Sequence, residues 1–268
     1  MCWQGDGRGA GPENISQGLK PEFSQSLNVR AEARTYLRDK SRWTLDVQVK
    51  GLLFDMDGVL ISSIASVTRC WRRWAAHYGV PGAETFEIAH GTRAVEIMLK
   101  LRPDFTQEQI AEGLRLIEDM EIEDVADLAV LPGVRELLES LPPERWTIVT
   151  SATRRLMVAR LKAAGLPSPE RLVAGDDVVN GKPHPEPYIT GARLLGFTPA
   201  ECVVVEDAPS GVGSGKAAGS KVLGVLGTHQ AGELYAAGAD WVVGSLTGVK
   251  AEMAGEFVAI KFDVVDNA

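Results

Sequence analysis

The segment Val49-Lys-Gly-Leu-Leu-Phe-Asp-Met-Asp-Gly58 decides the fold, because an apolar run ends there in two acids. The run Val49–Phe54 is typical of a strand that is buried on both faces of a sheet. Asp55 and Asp57 follow at a spacing of two residues, and side chains at that spacing in an extended chain point to the same side. Gly58 then allows the backbone to turn sharply. The segment therefore predicts a buried strand that presents two carboxylates at its end.

The sequence after residue 131 alternates apolar runs with helical patterns, several of which stop at a glycine. The apolar runs predict strands at Trp146–Thr150, Arg171–Ala174, Cys202–Glu206, Val222–Val225 and Trp241–Val243. The helical patterns predict helices at Val134–Leu141, Thr153–Ala164, Glu186–Leu195 and Ser210–Ala218. Such alternation implies right-handed crossovers, so we expect an α/β fold with a Rossmann-like, doubly wound parallel sheet. The tail Phe257–Val265 is expected to add an edge strand.

Residues 65–130 show helical spacing without a strand pattern, which predicts a helical cap domain inserted into the core. The α/β core then comprises residues 46–64 and 131–268. The cap helices are expected at Ser63–Tyr78, Ala94–Leu101, Gln107–Met120 and, as a shorter piece, near Val125. Residues 1–45 mix Gly, Pro, Gln, Ser and scattered charge, which predicts a poorly ordered N-terminal extension with one short helix around Val29–Arg38. A mis-assigned start codon is the alternative explanation of this stretch.

Composition and charge exclude several function classes. The net charge of −8 and the pI of about 5.2 give no basic footprint for nucleic acid. Three cysteines that are far apart indicate neither a disulfide framework nor a zinc site, and a reducing cytoplasm is the simplest location. We expect no membrane span and no secretory signal, and nothing in the sequence indicates a protein partner.

Polar and charged side chains follow four of the predicted strands, where an open α/β sheet binds its ligands. They are Asp55 and Asp57, then Thr150-Ser151-Ala152, then Lys182 between Gly181 and Pro183, and finally Glu206 and Asp207. Because the carboxyl ends of parallel strands lie at one edge, we expect these groups to converge. Glu206 and Asp207 both offer carboxylates there, or one of them orients the other. Thr150 is the alternative to Ser151 as a hydroxyl donor.

A cluster of carboxylates around a phosphoryl group needs a cation. Each pair of like charges costs about 4 kcal/mol at 4 Å with an effective dielectric constant near 20. Ligands that are all oxygen select a hard ion, and phosphate chemistry favours Mg²⁺. Lys182 adds positive charge, Ser151 offers a hydroxyl donor, and the N–H groups at the start of the following helix, from Ala152 onward, can face an anion. The predicted partner is therefore a small phosphorylated metabolite.

The paired acids suit a two-step displacement. Phosphate monoesters hydrolyse so slowly that catalysis can require up to ~10²¹-fold acceleration, and a carboxylate nucleophile divides that task by forming an acyl-phosphate. If Asp55 attacks, Asp57 is placed to protonate the leaving alkoxide and then to deprotonate the attacking water.

These motifs together resemble the haloacid dehalogenase-like superfamily, whose pattern is an apolar strand, Asp-x-Asp-Gly, then a Ser or Thr, a Lys and an acidic pair. The resemblance covers roughly residues 47–250. It is nearest to the sugar-phosphatase branch, which includes glycerol-3-phosphate, 2-deoxyglucose-6-phosphate and hexitol-phosphate phosphatases. Four stretches carry this likeness, namely His90-Gly-Thr-Arg93, Trp146-Thr-Ile-Val-Thr-Ser-Ala-Thr-Arg154, Gly181-Lys-Pro-His-Pro-Glu-Pro-Tyr188 and Val203-Val-Val-Glu-Asp-Ala-Pro-Ser-Gly211.

The resemblance implies a phosphoric monoester hydrolase with an aspartyl-phosphate intermediate. It implies Asp55 as the nucleophile and Asp57 as the acid–base residue. It implies Mg²⁺ held by Asp55, the Asp57 backbone carbonyl, Asp207 and Glu206, and a phosphoryl group bound by Ser151, Ala152 and Lys182. The helical insert would close over the substrate, which makes His90 and Arg93 candidate substrate contacts. Many relatives have Asp-Ser where this chain has Ser62-Ser63, a position expected near the cap hinge.

The same motifs are compatible with other functions. A sugar phosphomutase of the same fold would share every catalytic residue and differ in what accepts the phosphoryl group. A non-catalytic protein that binds a phosphate ligand would need none of the paired acids. A dehalogenase is disfavoured by Asp57 and Asp207, because relatives of that kind need neither magnesium nor the second acid of the pair. A dinucleotide-binding domain is excluded, since the first strand–helix turn lacks GxGxxG.

Overall fold

A computed structural model describes residues 36–39, 42–85 and 91–265, with side chains from residue 45 onward. The strands are β1 Tyr36–Asp39, β2 Arg42–Val49, β3 Gly51–Phe54, β4 Ile61–Ser62, β5 Ala129–Val130, β6 Trp146–Ile148, β7 Cys202–Glu206, β8 Lys221–Val225, β9 Trp241–Val243, β10 Lys250–Ala254 and β11 Phe257–Asp263. The helices are α1 Ile64–His77, α2 Ala94–Leu101, α3 Gln107–Glu123, α4 Val134–Ser140, α5 Arg154–Ala164, α6 Glu186–Leu195, α7 Pro209–Ala218 and α8 Ala231–Ala236.

The central sheet is parallel and has the strand order β6-β3-β7-β8-β9. Every residue of β3 is buried, and successive side chains alternate between two hydrophobic clusters. Leu52 and Phe54 pack into the cluster that includes α4 and α5, whereas Leu53 packs into the cluster that includes α6 and α7. This confirms the predicted α/β fold with a parallel sheet. Because β3 lies between β6 and β7, Asp55 emerges near the middle of the carboxyl edge.

The third predicted strand, Arg171–Ala174, is reduced to a single parallel bridge between Val149 and Val173. The backbone turns away directly afterwards because a carboxylate oxygen of Asp177 accepts a hydrogen bond from the Ala174 N–H at 2.8 Å. The parallel sheet therefore has five regular strands within the described residues, and the polar segment before Lys182 runs as a loop.

A second sheet is antiparallel, with the order β1-β2-β11-β10. The expectation that Phe257–Val265 forms a strand is confirmed over Phe257–Asp263, but the expected edge position is wrong. Instead β11 lies between β2 and β10, with Val47 opposite Ile260, and its side chains at Val258, Ile260 and Phe262 enter the same core cluster as β3. The strand β11, which carries this alternating apolar pattern, thus pairs with β2, an N-terminal strand that is distant in sequence.

The N-terminal segment is more structured near the core than the sequence suggests. The expected helix around Val29–Arg38 is contradicted at Tyr36–Asp39, which forms β1, while residues 1–35 lie outside the described residues. The strand β2 starts at Arg42, inside the predicted extension. Pairing of β1 with β2, which in turn pairs with β11, provides backbone hydrogen bonds that local propensity does not reveal, and these outweigh the weak helical pattern.

The helical insert consists of α1, α2 and α3, which pack around Trp71, Trp74, Met98 and Ile117. It joins the core through β4 and β5, an antiparallel pair in which Ile61 lies opposite Val130. The expected short helix near Val125 is a turn instead, because the chain must reverse there to enter β5. None of the helices in the described part of the chain combines the length and the hydropathy that crossing a bilayer requires.

Candidate active site

Lys182 is the centre of a buried charge cluster at the carboxyl edge of the parallel sheet. Its side chain is 1% exposed. Its Nζ lies 2.6 Å from Asp55 Oδ1 and 2.7 Å from Glu206 Oε1, and it donates a third hydrogen bond to the Val149 carbonyl at 3.1 Å. The three donors of one ammonium group therefore join β3, β6 and β7 at their carboxyl ends. The structure thus brings together Asp55, Lys182 and Glu206, which the sequence predicts to be site residues.

Glu206 uses both carboxylate oxygens within this cluster. Its Oε1 accepts from Lys182 and from the Tyr188 hydroxyl at 2.8 Å. Its Oε2 accepts from the backbone N–H groups of Asp207 at 3.0 Å and Ala208 at 3.2 Å. Four donors surround one carboxylate, so Glu206 is held rigidly and in turn orients Lys182.

Two glycines allow the acids to approach the backbone closely. Gly58 has φ +87°, and a Cβ at this position would lie 1.9 Å from Asp207 Oδ2. A Cβ on Gly211 would lie 1.7 Å from Glu206 Oε1. Any side chain at either position would displace a carboxylate of the cluster, which gives these glycines a specific steric role.

The carboxylates of Asp55, Glu206 and Asp207 fit a divalent cation. Each offers an oxygen such that all three atoms lie within 4.8 Å of one another, and all three residues are buried. Oxygen donors at this spacing suit a hard ion. Asp207 is also held by Thr228, whose hydroxyl donates to an Asp207 carboxylate oxygen and to its carbonyl. Asp55 and Asp207 have fewer hydrogen bonds than Glu206 on their oxygens, which makes them the more available ligands.

The electrostatics of the cluster call for added positive charge. Burial raises the pKa of the Asp55 carboxyl to about 7, with Lys182 opposing the shift and Glu206 adding to it. Burial also raises the pKa of Asp207 well above its usual range, and the charges of Glu206 and Asp55 add to that rise. Burial lowers the pKa of Lys182, but Asp55 and Glu206 outweigh it and hold the pKa above its ordinary value. One ammonium thus faces three carboxylates, a balance that a divalent cation would correct.

Asp57 makes its side-chain hydrogen bonds with Ser63 and Arg160, which do not belong to this cluster. Its Oδ1 accepts from the Ser63 hydroxyl at 2.5 Å, and Arg160 Nη1 lies 3.0 Å from each of its oxygens. Ser63 directly precedes α1, as a position near the cap hinge should. Its hydroxyl nevertheless contacts Asp57, the predicted acid–base residue. The departure at Ser62-Ser63 therefore lies at the site, since one of the two serines contacts Asp57.

The hydroxyl segment after β6 meets the cap. The Ser151 hydroxyl donates to the Gly91 carbonyl at 2.8 Å, so a core residue and a cap residue are joined there. The Ala152 N–H donates to the Thr150 hydroxyl at 3.1 Å. A ligand oxygen would have to replace these partners, and the roles predicted for Ser151 and Ala152 stay predictions.

Arg93 lies on the cap and contacts the loop that precedes Lys182. Its Nη1 donates to the Val179 carbonyl at 3.1 Å, and its Nε donates to Glu96 Oε1 at 2.7 Å. It also lines the cavity described below. His90, the other predicted substrate contact, lies outside the described residues.

A cavity of about 320 Å³ lies between the core and the cap. Asp55, Asp57 and Ser151 line its core side, and Arg93, Trp71 and Ile117 are among the cap residues on the opposite side. Its size is at the lower end of what small-molecule sites usually have. The predicted nucleophile and acid–base residue therefore face a space that suits a small ligand.

Four further residues of the site are not among those that the sequence predicts, namely Tyr188, Thr228, Arg160 and Glu121. Tyr188 stands at the end of the quoted Gly181–Tyr188 stretch, so that stretch contained a signal for it. Arg160 and Glu121 carry no local signal, because they lie mid-helix in patterns that indicate only amphipathic packing.

The parallel α/β sheet, its helical insert and the lysine-centred carboxylate cluster at the sheet edge together define the class of capped α/β hydrolases. Residues 49–219 match the haloacid dehalogenase-like hydrolases, and the chain belongs to that family. This confirms the resemblance found in the sequence motifs.

Curated relatives include several phosphatases of small phosphorylated compounds. Hexitol phosphatase A of Escherichia coli is 41% identical, over 67% of this chain and 84% of that protein. Glycerol-1-phosphate phosphohydrolase 2 of Saccharomyces cerevisiae is 32% identical, over 74% and 83%. The 2-deoxyglucose-6-phosphate phosphatase 2 of the same yeast is 34% identical, over 74% and 88%.

Solved structures agree on the fold. A hydrolase from Pseudomonas syringae matches 74% of this chain and 94% of its own, with a TM-score of 0.67 and 28% identity. A β-phosphoglucomutase from Clostridium difficile matches 75% and 93%, with a TM-score of 0.65 and 20% identity, a likeness that concerns the fold alone.

Proposed function

We propose that this protein is a Mg²⁺-dependent phosphatase that hydrolyses a small sugar or polyol phosphate through an aspartyl-phosphate on Asp55. The observation that carries the proposal is the buried contact of Lys182 with Asp55 and Glu206 at the edge of a cavity. Such a contact orients a carboxylate nucleophile beside the positive charge that a phosphoryl group requires. Relatives whose names specify hexitol, glycerol phosphate and deoxyglucose phosphate support the substrate class.

The first step transfers the phosphoryl group to the protein. An Asp55 carboxylate oxygen forms a bond to phosphorus, and the bond from phosphorus to the substrate oxygen breaks. Asp57, which must enter this step in its protonated form, donates its proton to that oxygen and becomes ionised, and the oxygen leaves as an alcohol. Lys182 keeps its ion pair with Glu206 while Asp55 becomes an acyl-phosphate, so the Nζ donor that Asp55 releases can turn to a phosphoryl oxygen.

The second step regenerates the protein. Asp57, now ionised, takes a proton from a water molecule whose oxygen attacks phosphorus. The bond between phosphorus and Asp55 breaks, and inorganic phosphate leaves. The cap excludes other water from the cavity, and Ser151 with the Ala152 N–H would hold the phosphoryl oxygens after release from their present partners.

The metal ligands in this proposal are the Asp55 and Asp207 carboxylates and the Asp57 backbone carbonyl, with Glu206 in the same cluster. Bound Mg²⁺ would supply charge that screens the phosphoryl oxygens from the carboxylates. Because Glu206 already accepts four hydrogen bonds, we assign it chiefly to orienting Lys182.

A phosphomutase is the second candidate, favoured by the 30% identity, at a TM-score of 0.56, to a structure from Thermotoga maritima that is named for β-phosphoglucomutase. The two activities differ in the phosphoryl acceptor, which is water in one and a sugar hydroxyl in the other. Isomer formation from a sugar monophosphate primed with its bisphosphate, without phosphate release, would favour the mutase.

The deciding experiment measures phosphate release from glycerol 1-phosphate, 2-deoxyglucose 6-phosphate and a hexitol phosphate, with Mg²⁺ and with EDTA. We expect turnover that depends on Mg²⁺, and Asp55→Asn should lose nearly all of it while it melts cooperatively. Glu252→Gln, a change in an exposed ion pair of the second sheet, is the matched control and should keep full activity. Near-normal turnover by Asp55→Asn would remove the nucleophile assignment, and no release from any compound would remove the proposed function.

A further inference from the structure

Arg160 connects the predicted acid–base residue to the cap. It lies on α5 of the core, its side chain is 4% exposed, and its Nη1 is 3.0 Å from each oxygen of Asp57. On its other side Nη2 lies 3.4 Å from Glu121 Oε2, a residue of cap helix α3 whose side chain is 8% exposed. One guanidinium thus stands between a core carboxylate and a cap carboxylate, and all three groups line the cavity.

Burial makes this arrangement unusual for a residue that only supports the fold. Charged side chains are rarely buried to this extent unless they are paired, and the pair is seldom more stable than apolar residues of the same volume. The same two helices already have an exposed connection, because Arg155 Nη1 and Nη2 each lie 2.6 Å from an oxygen of Glu118 and Asp119. The buried pair is therefore not needed to attach α3 to α5.

The contact with Asp57 is geometrically specific. Arg160 Nη1 is equidistant from the two carboxylate oxygens of Asp57, and the Ser63 hydroxyl donates a second hydrogen bond to Oδ1. Together these donors determine the orientation of the Asp57 carboxylate. Nη2 makes no hydrogen bond among the described residues, so Glu121 attracts the guanidinium toward α3 through charge at 3.4 Å, and the direction of that attraction depends on where α3 lies.

We infer that Arg160 is a positioning residue that orients Asp57 for proton transfer, and that Glu121 of the cap positions Arg160. The acid–base residue is then set correctly when α3 is seated on the core. This inference rests on the proposed phosphatase function, since it assigns how that reaction obtains its proton.

The test compares two substrates whose leaving groups differ in their need for a proton. An alkoxide needs a proton in order to leave, whereas p-nitrophenolate is stable without one, so loss of acid catalysis slows an alkyl phosphate far more than an aryl phosphate. We expect Arg160→Gln to lower kcat/KM by about 10²-fold for the fastest alkyl phosphate of the panel, and by less than about tenfold for p-nitrophenyl phosphate. Arg160→Lys, which keeps the charge on a single donor group, should recover part of the difference.

Three further variants separate positioning from support of the fold. Arg155→Gln breaks the exposed pairs with α3 without touching Asp57, and should change both substrates by the same factor. Glu121→Gln should lower the alkyl rate selectively, though less than Arg160→Gln. On an Asp57→Asn background, Arg160→Gln should cause no additional loss with the alkyl phosphate, because residues that act as a unit are not additive.

The outcomes distinguish the inference from the proposed function. If wild-type protein hydrolyses the alkyl phosphate but Arg160→Gln slows both substrates equally, or adds its full loss to Asp57→Asn, the inference is overturned and the phosphatase stands. The same holds if Arg155→Gln is as selective as Arg160→Gln. If Arg160→Gln does not fold, Glu121→Gln decides, and an unchanged ratio of alkyl to aryl rates in that variant would overturn it.

Discussion

Replacing Lys182 by methionine would remove the positive charge at the centre of the site while keeping much of the side-chain volume. Asp55 and Glu206 would lose a partner at 2.6 and 2.7 Å, and both are almost fully buried. Removing one partner of a buried ion pair usually costs about 3–5 kcal/mol, because the remaining charge stays unpaired. With two carboxylates left behind, we expect Lys182→Met to lose free energy of unfolding in the upper part of that range at neutral pH.

The loss should depend on pH and on metal. Asp55 has an ordinary pKa of 3.8 that burial raises to about 7 in the folded protein, so the folded state holds this proton more tightly than the unfolded state. A carboxyl of this kind destabilises the fold progressively as the pH rises from about 4 to 7. Without Lys182 the folded-state pKa of Asp55 rises further, so the difference between variant and wild type should be smaller near pH 5 than near pH 8. Added Mg²⁺ should restore part of the stability.

Urea unfolding curves at pH 5 and pH 8, with and without Mg²⁺, measure these differences. Lys216→Met is the matched control, since Lys216 pairs with Asp240 at 2.8 Å and is 34% exposed. It should lose less than about 1 kcal/mol at either pH. A Lys182→Met protein that is no less stable than the Lys216→Met control, or whose loss is the same at both pH values, would refute the account of the buried cluster.

Two other substitutions test the supports of the site. Gly58→Ala should abolish turnover and weaken the binding of Mn²⁺, because the added Cβ would lie 1.9 Å from Asp207 Oδ2 at a residue with positive φ. Electron paramagnetic resonance measures the Mn²⁺ affinity, and an unchanged affinity would show that Asp207 is not held there. Tyr188→Phe removes one of the four donors to Glu206, and we expect a loss of about 1 kcal/mol in stability and a reduced kcat with little change in KM. A change confined to KM would contradict a role through Lys182 and Glu206.

Most of the parallel sheet is predictable from the sequence, because each strand is a short apolar run that ends at a turn. Cys202–Glu206 and Trp241–Val243 have the predicted bounds, and the helix Glu186–Leu195 does as well. The second sheet is not predictable in the same way. Its strands β2 and β11 come from opposite ends of the described chain, and only their pairing explains why an N-terminal segment rich in polar residues ends in a strand.

The sequence by itself determined which residue types stand where the strands end, and therefore the convergence of Asp55, Glu206 and Asp207, whereas Lys182 reaches them from a loop. That information is local, since an apolar run and the residue after it lie side by side in the chain. Only the tertiary structure decided what Asp57 contacts, because its partner Arg160 lies 103 positions away and belongs to a helix pattern with no mark of function. Contacts between distant helices depend on how the cap sits on the core, and no periodicity within either segment encodes that.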